Sequence, residues 1–353
     1  MTLRERLSEA FSKAPRMYKD AGQRLALASP KTPEYERWSE ETFGIVEVTP
    51  TIEHPGIPDD APLRRFIDLP KALDLLVNRR LVLPRLAELI KCDPRECDAR
   101  PDYNQASRED LERKVIELKE FAPDSEDTSS IYSFHSLGLV SGGLSVKNSF
   151  EDRVKQMSLN DLKQAAWFVE HERLKQDLVC SCWYGSAMES DAMWKLYCDR
   201  VGVAITTSVS RLKSSVKCHV PKLFSDHLRL SLAKIAYDDT TCCKDTAPWL
   251  IKRTAFRHED EVRLYMDYPF VRFPGFELTV SPHRLIKEII VTPYAQRWQS
   301  EVIEATIGRL LRPSERRIGP RNSMIVKQST HRTPPIQAGP NRQIPASSRP
   351  SNN

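Results

Sequence analysis

The chain has 353 residues, 40% of them hydrophobic, which is enough for one large core or two smaller ones. No run of about 18 apolar residues occurs, which excludes a bilayer-spanning helix, and the start Met1-Thr2-Leu3-Arg4-Glu5-Arg6 lacks the apolar stretch of a leader, so the expected compartment is the cytoplasm. The net charge of +5 is unevenly spread: eight basic residues and one acid after Leu311 give that tail +7 and leave the first 311 residues at −2. Weak, non-specific contact with nucleic acid is therefore expected of the tail and not of the rest.

Residues 1–62 read as a polar, Pro-rich lead-in. Leu3, Leu7 and Phe11 recur at helical spacing, whereas Pro50, Pro55, Pro58 and Pro62 fix φ and predict an extended run. A single domain is expected over 63–311, of mixed α/β (α+β) class, with a central mixed sheet and flanking helices. Arg64-Arg65-Phe66-Ile67 reads as its first strand, Pro70 opens a helix, and Leu81-Val82-Leu83 reads as a second strand. Ser107 to Asp110 and Ser158 to Asp161 each form a capping pattern ahead of an apolar helical stripe. The Ser- and Gly-rich stretch 123–148 between them reads as a surface loop.

The densest stretch follows. Leu178 to Tyr184 is apolar enough for a central strand, Glu189 to Asp199 reads as a short helix, and Val203 to Thr207 is a β-branched strand. A further helix is expected through Leu212 and Val216. Strands are expected near Ser231–Tyr237, Glu261–Tyr268, Phe276–Val280 and Ile286–Val291, and a helix near Tyr294–Leu311. The tail 312–353 is basic and rich in Pro, Ser and Asn, the composition of a disordered segment. Eight cysteines contain no C-x-x-C pair, so they read as reduced, buried thiols and no metal site is expected.

Five residues stand out for chemistry. Glu259 and Glu261, as an E-x-E pair on one strand, would point to the same face, and two carboxylates so placed suit general-base or oxocarbenium-stabilising work. A solvated pair, or Glu261 bonded to Arg263 or Arg257, is the plainer alternative. Arg65 presents a planar fork suited to a phosphate or carboxylate, against a surface salt bridge as the alternative. Thr206 and Thr207 end a strand with hydroxyls that orient a ligand or simply serve strand and cap geometry. Asp93-Pro94-Arg95-Glu96 reads as a turn or a lock between elements. Trp183, Tyr184, Trp194 and Tyr197 read as packing, and His171 and His258 are the histidines best placed for acid–base work.

The order of several elements resembles a known family. Arg65-Phe66, Asp93-Pro94-x-Glu96, Cys180-Ser181-Cys182-Trp183, Met193-Trp194-x-x-Tyr197, Tyr237, Lys252 and Glu259-x-Glu261-x-Arg263 look like the family called domain of unknown function 2971, over about residues 63–311. That family often has an aromatic residue where Arg64 stands and an asparagine where Cys92 stands. The resemblance implies no established activity.

The order Arg65, Thr206-Thr207-Ser208, Glu259-x-Glu261 also parallels the arginine class of mono-ADP-ribosyltransferases. That analogy implies an NAD-using transferase or glycohydrolase. Arg65 would hold the pyrophosphate, the hydroxyls would position Glu261, Glu261 would stabilise the oxocarbenium ion, and Glu259 would activate the acceptor. The alternative is a non-catalytic interaction module, in stress or antiviral defence, with the tail as a tether. The two differ on whether Arg65, Thr207, Glu259 and Glu261 meet in one cleft.

Overall fold

The computed structural model describes residues 45–91, 93, 95–97, 100–101, 103–117, 150–198, 201–222, 225, 228–239, 242–243, 246–267, 275–311 and 325–329. The expected helix near Leu3 and the loop 123–148 lie outside them. The strands in chain order are β1 Ile45–Val48, β2 Thr51–Glu53, β3 Pro62–Asp68, β4 Arg80–Pro84, β5 Arg100–Pro101, β6 Leu178–Tyr184, β7 Gly202–Ser208, β8 Val216–Pro221, β9 Arg229–Lys234, β10 Ala236–Tyr237, β11 Cys242–Cys243, β12 Ile251–Lys252, β13 Glu261–Asp267, β14 Gly275–Val280, β15 Glu288–Val291 and β16 Ile325–Gln328.

Eight strands form a mixed sheet in the order β16-β15-β7-β3-β6-β13-β9-β2, and four form a second, antiparallel sheet in the order β1-β8-β14-β4. The class is α+β, with parallel pairing where β16 meets β15 and where β2 meets β9. One face of the large sheet packs on the small one. Leu63, Ile67, Trp183, Ile205, Val262 and Leu264 of the first share a core with Leu81 and Leu83 of β4, Cys218 and Val220 of β8, and Leu278 and Val280 of β14. The other face carries Phe66, Tyr184 and Ala204 under the Asp191–Tyr197 helix, whose Met193 and Trp194 are buried there. β6 is apolar apart from Ser181 because both of its faces are covered.

The helix starts follow the capping chemistry. Ser158 Oγ accepts the Asp161 amide at 3.2 Å ahead of the Leu159–Asp177 helix, and Ser107 Oγ accepts the Asp110 amide at 3.1 Å ahead of Arg108–Glu117. Asp68 caps Leu69–Val77 in the same way, with Pro70 in the first turn. The Arg108–Glu117, Phe150–Gln156 and Leu159–Asp177 helices build their own small core from Leu111, Val115, Val154, Leu162 and Val169.

Three boundaries differ from the sequence expectation. The lead-in is not merely extended: β1 and β2 pair into the two sheets, and Ile52 and Ile57 are buried. A few apolar residues among the prolines are enough to complete two sheet edges. The tail is ordered over Ile325–Ser329, where β16 pairs in parallel with β15 and covers its outer edge. The helix expected through Val216 ends at Ser215, and Val216 instead begins β8.

Candidate functional site

The two glutamates are brought together differently from the expectation. They do not share a strand. Glu259 ends the 3-10 helix Thr254–Glu259, Asp260 takes a left-handed conformation at φ 37°, and Glu261 opens β13. That turn brings both carboxylates onto one ammonium group. Lys252 Nζ of β12 donates to Glu259 Oε2 at 2.6 Å and to Glu261 Oε2 at 2.9 Å, and lies 3.8 Å from Glu96 Oε2.

A second cation closes the cluster from beneath. Arg263 follows Glu261 on the same face of β13 and is fully buried. Its Nε donates to Glu261 Oε1 at 2.8 Å, its Nη2 to Glu96 Oε1 at 2.8 Å, and its Nη1 to the Trp249 carbonyl at 2.7 Å. Tyr197 donates its hydroxyl to Glu259 Oε1 at 2.6 Å, and the Glu261 amide donates to the Tyr237 hydroxyl at 2.7 Å. Every oxygen of Glu259 and of Glu261 is thus engaged by a donor from the same chain. Asp93 performs the locking role open to it in sequence by accepting from Arg253 at 2.8 Å, and Glu96 locks the same segment to Arg263.

The charge state follows from this geometry. Burial opposes ionisation of Glu261, but Arg263 and Lys252 outweigh it and hold the carboxyl down to about 2. Burial works against the Lys252 ammonium, and Glu261, Glu96 and Glu259 together keep its pKa above the usual lysine range. Burial and the Glu259 carboxylate raise Tyr197, so it stays a donor. The like-charge repulsion expected of an E-x-E pair is cancelled by Arg263, a partner the sequence offered, and by Lys252, which the spacing does not reveal.

The cysteines of β6 line the floor. The β13–β6 register sets Arg263 opposite Cys182 and Tyr265 opposite Cys180. The Cys180 thiol is held down chiefly by a hydrogen bond from Cys182, and the Cys182 thiol is pushed up by that bond, by burial and by Glu261. Cys97, Cys180, Cys182, Cys198 and Cys218 are all free thiols. No group of His, Cys, Asp and Glu suited to a metal ion occurs among the described residues.

Arg65, Thr206 and Thr207 do not join this cluster. Glu261 stands opposite Tyr184, on the face that also carries Arg64, whereas Arg65 lies on the inter-sheet face with Leu63 and Ile67. Thr207 also points between the sheets, buried, with its hydroxyl on the Leu285 carbonyl at 2.5 Å. Thr206 shares the Arg64 face, but β7 is three strands from β13, on the order of 14 Å at normal sheet spacing. The single cleft that would combine these residues with Glu261 is not assembled, because strand alternation puts Arg65 and Thr207 on the wrong face.

The remaining residues have plain places. Trp183 and Trp194 are core, Trp194 meeting Phe66 edge-on at 4.8 Å. Arg64 donates to the Met188 and Ala187 carbonyls at 2.9 and 3.0 Å and anchors the loop after β6. His258 is exposed, with Nδ1 3.1 Å from the Ala255 carbonyl. His171 stacks on Trp167 at 5.1 Å, and burial and Lys175 pull its pKa down to about 4. Neither histidine approaches the carboxylates. Residue spacing alone missed Lys252 and Tyr237, which are brought in by the fold and carried beforehand only by the family resemblance.

The loop–turn junction over the cluster is tight. Gly185 donates its amide to the Asp260 carbonyl at 2.8 Å, and a Cβ there would sit 2.9 Å from Val262 Cγ2 and 3.1 Å from the Asp260 oxygen. Gly185→Ala should therefore lower stability by about 1–3 kcal/mol, read as an earlier urea midpoint with an unchanged slope. A parent-like midpoint would show that the junction yields.

No protein-family model, curated protein or solved structure matches this chain. No helix among the described residues is long and apolar enough to cross a membrane.

Proposed function

We propose that this chain is a non-catalytic binding module, and that the Glu96–Lys252–Glu259–Glu261–Arg263 cluster is a lock holding its elements together. One observation carries the reading: both oxygens of Glu259 and both of Glu261 are satisfied by donors of the chain itself. Glu261, its carboxyl held down to about 2, is a poor proton acceptor at neutral pH, and neither oxygen of Glu259 is left free of a donor. The cluster ties β12, β13, the Thr254–Glu259 turn and the segment around Glu96 through side chains at most 10% exposed. The place of Arg65 and Thr207 on the other face removes the specific support for an NAD-dependent transferase. The motif order that resembles the domain of unknown function 2971 family is, in this reading, the order of the lock residues.

The test is an NAD assay on the full chain. No nicotinamide release and no NAD binding are expected from the parent protein. Nicotinamide release by the parent that is lost in a stably folded Glu259→Gln variant would overturn the proposal.

A further inference from the structure

Arg65 is the charged residue that the lock leaves out. Its guanidinium carbon lies 5.8 Å from the centre of the Trp183 ring, and among the described residues it forms no hydrogen bond and no ion pair. Burial strips water from it and pulls its pKa down. The residue keeps partial exposure, so it can be reached. Among the described residues no carboxylate pairs with it, and Leu63, Ile67, Ile205, Val262 and Leu264 share its core face, with the Thr207 hydroxyl already committed to Leu285.

Two more donors on that face lack partners. Trp183 is 2% exposed and Ser181 is 1% exposed, and neither Trp183 Nε1 nor Ser181 Oγ finds a hydrogen bond. Both point to the inter-sheet side of β6, two residues apart. The sheet is also open along this seam. β3 and β6 pair only at Arg64 and Tyr184, and the next partner on that edge of β6 is Arg85, opposite Val179. A buried indole N–H and hydroxyl without acceptors are costly to leave unmatched, and an anion drawn to the partly exposed Arg65 guanidinium brings an acceptor to that face.

We propose that Arg65, with Trp183 and Ser181, forms a binding site for the carboxylate of a small organic monoanion that has an apolar body. The charge selects the ligand. One guanidinium neutralises one carboxylate in two parallel hydrogen bonds. A phosphate monoester, at about −1.5 to −2 near neutral pH, would leave negative charge uncompensated among apolar side chains. The aliphatic and indole walls select an apolar or aromatic body over a hydrated one. This inference rests on the binding-module reading and supplies its ligand class.

The test uses the full chain with benzoate and hexanoate as probes, benzyl alcohol as the neutral analogue, and inorganic phosphate. Melting temperature and tryptophan fluorescence are the readouts. Benzoate and hexanoate at millimolar concentration should raise the melting temperature, and benzyl alcohol and phosphate should not. Arg65→Met should abolish the carboxylate-dependent rise. The same variant keeps the volume and breaks no hydrogen bond or ion pair, so it should melt no lower than the parent in the absence of ligand, which separates loss of binding from loss of folding. Trp183→Phe keeps the ring, drops the N–H, and should weaken benzoate roughly fivefold, the worth of about one hydrogen bond. An equal carboxylate response in Arg65→Met, no carboxylate response in the parent, or a response to phosphate instead would each overturn the assignment. NAD turnover, measured separately, bears on the binding-module reading and not on this site.

Discussion

Glu261→Gln should lower the unfolding free energy by about 3–5 kcal/mol, a large share of the 5–15 kcal/mol typical of a domain. The amide cannot accept from both Lys252 and Arg263, and its NH2 would face a donor. Lys252 keeps Glu259 and Arg263 keeps Glu96, but each loses one charged acceptor in a site where Glu261 is 3% exposed and Arg263 not at all. Breaking one member of a buried ion cluster leaves its partners desolvated, and that penalty exceeds the net worth of the intact contact. Urea unfolding followed by circular dichroism measures the loss. A midpoint close to the parent's would mean that Glu261 does not hold the structure together. Arg263→Met should be comparably damaging, because Glu261 and Glu96 both lose their Arg263 partner.

Acid should destabilise the protein in two separate windows. His171 has a folded pKa of about 4 against 6.5 for the free side chain. The unfolded chain therefore binds a proton at this position that the folded chain refuses, and stability falls as pH drops from about 6.5 toward 4. Glu261, at about 2 against 4.5, adds a second loss from about pH 4.5 downward. Each shift corresponds to about 3 kcal/mol at full development. His171 Nε2 has no hydrogen-bond partner and Lys175 repels its protonated form, so His171→Phe should erase the upper window and leave the lower one. Melting temperatures at intervals from pH 7 to 3 check this. A parent curve flat between pH 6.5 and 4.5, or one unchanged by His171→Phe, would contradict the assignment.

Much of the frame was legible from local chemistry. Ser107 and Ser158 cap the helices they precede, Pro70 stands in the first turn of the helix it was expected to open, and the run Leu178–Tyr184 is a central strand. The second sheet was less visible. β8 carries Cys218 and Val220 in alternation between charged residues and follows a helix without a break, so helical spacing carried through Val216. β16 is a short apolar island in a basic, Pro-rich tail, stabilised by the edge of β15 and not by its own composition.

The site divides in the same way. Glu259 and Glu261 were visible as a pair, Arg263 as a partner of Glu261, and the Asp93-Pro94-Arg95-Glu96 segment as a turn or lock. The charge state was not, because it also depends on Lys252, which reaches the same point from a two-residue strand. Arg65 was visible as an anion-binding residue, but alternation along β3 sends it to the other side of the sheet. A shift of one residue reverses such a conclusion, and chain order alone does not fix the face.

The lock is tested most directly by a double-mutant cycle between Lys252→Met and Glu261→Gln, with stability measured for the parent, both single variants and the double variant. Coupled charges predict that each single variant loses several kcal/mol and that the double variant loses far less than their sum, a coupling above about 1.5 kcal/mol. Additive losses would mean that the two groups stand independently, and the lock would not exist.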